Sequence, residues 1–164
     1  MRFRVEQRFA AALAQVEAAL LDPAFLARLA DLPDLGSPEL LGHDGDGDLV
    51  RMRVRYRFTG ALSPAVTAVV DPDRLTWVEE TAYDRRAHRG EHTIVPDHYA
   101  GRLSSSYVTQ LEMAAGVTLR VADGELRVRF PLVAGRVERA IVAGLHTHAE
   151  REGEALARWL EEQG

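Results

Sequence analysis

The 164-residue chain predicts an α+β domain: a strand and two short helices, a run of antiparallel strands, then one long amphipathic helix. Three observations predict it. Residues 2–9 alternate in polarity with period two, residues 50–58 do so more clearly still, and residues 133–162 place apolar side chains three and four apart. No repeat, low-complexity tract or long linker interrupts the chain. Residues 1–164 are therefore read as a single domain, long enough for one substantial core.

The elements follow in order. Over 2–9, Phe3, Val5 and Phe9 share one side of a strand while Arg2, Arg4, Glu6 and Arg8 take the other. From Leu13 to Leu21 the spacing becomes helical through Leu13, Val16 and Leu20. Asp22-Pro23 ends that helix and starts another, with Asp22 as its cap, running to about Asp31. Residues 32–38, with two prolines and a glycine, read as a loop. Glu39–His43 leads into the turn signal Asp44–Asp48. In the strand beyond it, Val50, Met52, Val54, Tyr56 and Phe58 oppose Arg51, Arg53, Arg55 and Arg57. Further strands are expected at Ala65–Val70, Leu75–Ala82, Ala87–Val95 and Arg102–Met113. Over Val117–Phe130 the apolar parity slips at Asp123-Gly124, so a bulged strand or a hairpin is expected, the bulged strand being preferred. In the last helix Val137, Ile141, Leu145, Ala149, Leu156 and Trp159 form one stripe, with His148 and Glu152 inside it.

Composition narrows the chemistry. All 20 basic residues are Arg, and the chain contains no Lys, Cys or Asn. Lysine Schiff bases, P-loops, thiol nucleophiles, disulfides and thiolate metal sites are thereby removed. The formal net charge of −5 argues against nucleic acid as a partner. Charges break up the early apolar stretch, so neither a signal peptide nor a membrane span is expected, and the cytoplasm is the default location.

Val5-Glu6-Gln7-Arg8-Phe9, running into a helix that ends Leu20-Leu21-Asp22-Pro23, resembles the opening of the START-like or SRPBCC superfamily. The segment Glu125–Glu138 resembles the strand-to-helix exit of an uncharacterised START-like family from bacteria with GC-rich genomes. The order of elements is similar throughout the chain. The resemblance implies the helix-grip, Bet v-like fold: a curved antiparallel sheet of seven or eight strands wrapped around the C-terminal helix, with a ligand cavity between them. It implies a hydrophobic or amphipathic small molecule or lipid as partner, in a monomer or homodimer, with no cofactor. The superfamily has no shared catalytic motif, so function must come from the site.

Within such a cavity the expected ligand-binding residues are Tyr56, Trp77, His92 and Tyr107 from the sheet and Ile141, Leu145, His148 and Glu152 from the helix; Met113 is a further candidate. His148 and Glu152, four apart, are neighbours on one helix face and suit hydrogen bonding to a ligand's polar end. They also suit acid–base work, which makes a polyketide cyclase, aromatase or dehydratase the alternative to a binding protein. A stress or protein-interaction module is a third alternative. No metal site is expected: His146 and His148 diverge on the helix, and His88 with His92 supplies only two donors. The Asp44–Asp48 run fails the calcium-loop pattern at Leu49 and Arg55 and reads as a turn. Arg51, Arg53, Arg55 and Arg57, with Arg127 and Arg129, read as the wet face of a sheet cross-paired to carboxylates.

Overall fold

The computed structural model describes residues 1–32 and 36–164; part of the loop expected at 32–38 lies outside the described residues. Seven strands form one antiparallel sheet: β1 (Arg2–Phe9), β2 (Glu39–Asp46), β3 (Leu49–Arg57), β4 (Thr76–Asp84), β5 (Arg89–Pro96), β6 (Leu103–Ala114) and β7 (Val117–Val128). Their order across the sheet is β1-β7-β6-β5-β4-β3-β2, so the first strand returns to pair with the last. Helices α1 (Leu13–Leu20) and α2 (Pro23–Arg28) follow β1, α3 (Pro64–Thr67) lies between β3 and β4, and α4 (Ala134–Gln163) ends the chain.

Local chemistry places α1, α2 and α4 as the sequence predicts. The Asp22 carboxylate accepts a hydrogen bond from the Ala24 N–H at 2.8 Å, with Pro23 in the first turn of α2. One expected strand is absent. Residues 65–70 are not a strand; α3 is a single helical turn, begun by Ser63-Pro64. Val66 and Val70, four apart, are both buried, which a strand would not require but a helical turn provides.

The register sets out the concave face in rows. One row runs Met52, Thr81, His92, Tyr107, Gly124, Phe3 across six strands. A second runs Val54, Glu79, Ile94, Ser105, Leu126, and a third ends in Leu111, Arg120, Gln7. β7 is one strand, as preferred, but it has no bulge: its pairing with β1 and β6 is regular throughout. The parity slip arises because Leu119 and Val121 are buried on the convex face while Arg120 occupies the concave one. On the convex side Arg53 pairs with Glu80 at 3.2 Å, and Arg55 with Glu39 and Asp97, both at 3.2 Å. The arginine ladder is the wet face that its alternation suggested.

Two cores flank the middle of α4. Val16, Phe25, Leu26, Val50, Met52, Tyr83, Leu111 and Leu156 form one, with Trp159 packed against it. The other gathers Val66, Val70, Leu126, Val128, Phe130 and Val137, with Ile141 beside it. Each fully buried Leu, Val or Phe contributes on the order of 1.5–3 kcal/mol. Between its two anchored ends α4 crosses an open space. No helix among the described residues is long and apolar enough to cross a membrane.

Candidate functional site

That space is a cavity of about 210 Å³ between the concave face and the middle of α4. Phe58, Leu62, Val66, Ile94, Leu103 and Ile141 are among its apolar lining residues. At its mouth the Tyr99 ring meets Phe130 edge-on at 5.5 Å, and the Tyr99 hydroxyl accepts from the Asp71 N–H at 2.9 Å. A separate groove of about 340 Å³ between β1 and α4, lined by Arg4, Glu6, His146 and Glu150, is a solvent-open furrow rather than an enclosure.

Polar groups gather where β1, β4, β6 and β7 face α4. Arg120 Nη1 donates to Glu152 Oε2 at 2.7 Å and to Gln7 Oε1 at 3.0 Å. Gln7 Nε2 donates to the Ala149 carbonyl at 2.6 Å, tying β1 to the helix. Burial by itself would push the Glu152 carboxyl up, but the charges of Arg120 and His148 outweigh it and hold it below the usual carboxylate range. His148 lines the cavity one helical turn away; its Nδ1 is buried and has no hydrogen-bond partner among the described residues. A buried imidazole nitrogen left unpaired carries a desolvation cost that a bound group relieves.

A second cluster surrounds Glu79. His92 Nδ1 lies 3.3 Å from Glu79 Oε1 and 3.0 Å from Thr81 Oγ1, while His92 Nε2 lies 2.9 Å from Thr109 Oγ1. An ionised carboxylate only accepts, so Nδ1 carries the proton, and in the neutral imidazole the Thr109 hydroxyl donates to Nε2. Burial raises the Glu79 carboxyl, yet hydrogen bonds from His92 and Tyr107 and the attraction of His92 leave it lowered overall. Burial, with Glu79 nearby, pushes the Tyr56 and Tyr107 hydroxyls well above their ordinary range, so both remain protonated donors at neutral pH. Close packing makes room for this. A Cβ at Gly124 would stand 2.4 Å from Phe3 and 2.5 Å from Tyr107, so the glycine lets those two rings approach to 6.1 Å across β7.

Of the eight expected binding residues, Tyr56, Trp77, Tyr107, Ile141, Leu145, His148 and Glu152 line the cavity. His92 does not. It is buried on the same concave face beside the cavity, stacked on Tyr107 at 4.2 Å and 3.3 Å from Glu79, two residues that do line it. Met113 is 55% exposed near the end of β6 and takes no part. His88 does not share a face with His92; it sits at φ +52 in the β4–β5 turn beside Glu17, at 2.8 Å. Among the residues the sequence reading did not place at the cavity are three that form its hydrogen-bonding side: Gln7, Glu79 and Arg120. Their common signal is a polar side chain at an inward parity position.

An open antiparallel sheet gripping a long C-terminal helix, with two short helices after the first strand, defines the helix-grip fold. The chain belongs to the DUF2505 family, described as proteins of unknown function, whose model matches residues 4–160. Among solved structures, TTHA0849 of Thermus thermophilus is similar with a TM-score of 0.73 at 15% identity, over 100% of this chain and 99% of that one. A norcoclaurine synthase point mutant of Thalictrum flavum, in complex with a transition-state analogue, superposes with a TM-score of 0.67 at 15% identity, covering 99% and 95% of the two chains. The ZhuI aromatase/cyclase of Streptomyces sp. R1128 gives 0.64 at 12% identity, covering 99% and 94%. At such identities the likeness is one of fold. No curated protein matches the chain in sequence.

Proposed function

We propose that the protein binds a hydrophobic or amphipathic small molecule between the sheet and α4. The observation that carries this is the cavity itself: a largely apolar cavity of about 210 Å³ with hydrogen-bonding groups collected on one side. Apolar walls supply affinity at roughly 25 cal/mol per Å² of ligand surface removed from water, and a few fixed polar groups orient the occupant. His148, with its unpaired nitrogen, and Glu152, with Arg120, are the orienting groups. Native mass spectrometry of the gently purified protein tests the proposal. A bound small molecule is expected, and so is uptake of added hydrophobic probes. A cavity that takes up neither overturns it.

A second reading, an enzyme of the cyclase, aromatase or dehydratase sort, draws on the juxtaposition of His148 and Glu152 inside the cavity with two protonated tyrosine hydroxyls. It supplies a general base and general acids around one bound molecule. A His148→Gln variant separates the two readings. An enzyme loses most of its turnover, with the bell-shaped pH–rate profile losing one limb, while binding persists; a carrier shows no turnover in either form.

A further inference from the structure

We propose that the cavity contains an ammonium subsite at Glu79, and that its ligand is a small hydrophobic amine bound in its protonated form. This rests on the cavity-binding reading above and adds the charge of the ligand.

Charge balance points there. The cavity's polar side holds two carboxylates and one guanidinium. Arg120 is paired to Glu152 at 2.7 Å. Glu79 has no arginine within 4.0 Å among the described residues; its one ion-pair contact is His92, at 3.3 Å. His92 Nδ1, at 3.3 Å, can donate to it as a neutral imidazole, and the Tyr107 hydroxyl nearby is uncharged. Arg74, the other arginine lining the cavity, stands exposed at the mouth with its guanidinium 5.5 Å over the Tyr99 ring, where solvent screens it. Counted with His92 and His148 as neutral imidazoles, the lining thus keeps one carboxylate more than its buried guanidinium, and a ligand cation supplies what the protein lacks.

The surroundings of Glu79 suit that cation. Trp77, two residues earlier, lies on the same face of β4, and Tyr56 stacks on it at 6.0 Å from β3. Tyr107 approaches from β6. Aromatic faces beside a carboxylate are the usual setting for an ammonium, through cation–π attraction. The cavity is smaller than the roughly 300–1,000 Å³ of drug-sized pockets, which limits the enclosed portion to one or two rings.

Calorimetric titration at neutral pH with three shape-matched probes tests the proposal: 2-naphthylmethylamine, 2-naphthylmethanol and 2-naphthoate. The amine is expected to bind at least tenfold more tightly than the alcohol, and the carboxylate most weakly. In Glu79→Gln the amine should fall to the level of the alcohol, whose own affinity stays within about twofold. Should that variant fail to fold, Glu79→Asp keeps the charge and should keep the amine preference. Equal binding of amine and alcohol to the native protein, or an amine preference that survives Glu79→Gln, overturns the ammonium subsite and leaves the cavity reading standing. If none of the three binds, both fall.

Discussion

Arg120 and Glu152 illustrate what single residues contribute here. Each is largely buried, at 14% and 16% side-chain exposure, and each is costly in that setting without the other. The ionised form of Glu152 is favoured by the fold, as is that of Glu79, so both carboxyls lie below their usual 4.5 in the native state. The unfolded chain keeps the usual value. Stability from these groups is therefore complete above about pH 4.5 and is lost as pH falls through the lower native values. Urea midpoints should be level toward neutral pH and decline below about 4.5. The double variant Glu79→Gln/Glu152→Gln should flatten that decline; an unchanged acid limb would show that other carboxylates cause it.

At the scale of elements, α4 is anchored by Val137 near its start and Leu156 near its end, and its middle spans the cavity. Leu145 lies at the centre of that span. Leu145→Trp should fill the space, reducing uptake of a confirmed ligand at least tenfold while changing stability by less than about 3 kcal/mol, the usual limit for an overpacked site. Unchanged uptake by a folded variant would place the ligand elsewhere. The helix was legible because its stripe is long and consistently spaced. β7 was only half legible. Apolar residues on both faces, Leu119 and Val121 outward and Leu126 and Val128 inward, mimic a slip in register, and reading a bulge there hid Arg120. Gln7 is obscured for a related reason: it is the polar member of a face whose alternation is carried by Phe3, Val5 and Phe9. The turn at Pro64 is masked because a valine-rich run of six residues also fits a strand, and only the Ser63-Pro64 start marks it as helical.

For the whole molecule, the sheet is open, with β1 and β2 at its edges. β1 is held against α4 through Gln7. β2 carries Glu39, Asp44 and Asp46 and shifts register between Leu40 and Gly42, features that discourage another strand from pairing with it. Because the two cores lie at opposite ends of α4, an occupant of the cavity completes the interior between them. A ligand present at 100 times its Kd should stabilise the native state by about 2.7 kcal/mol. For a chain of this size that raises Tm by roughly 5–11 °C. Thermal unfolding with and without ligand checks it, and an unshifted Tm under saturating ligand would mean that the bound site is not part of the folded interior.

The two tryptophans are placed very differently. Trp77 stands in the cavity wall, stacked on Tyr56, whereas Trp159 lies at the far end of α4, edge-on to Phe25 at 5.8 Å with Arg28 over its ring. Replacing Trp159 with Phe leaves one indole, and that indole forms part of the ligand-facing surface. Its emission then reports occupancy directly, blue-shifting as water leaves and quenching when an acceptor ring enters. The protein carries its own optical gauge of what fills it.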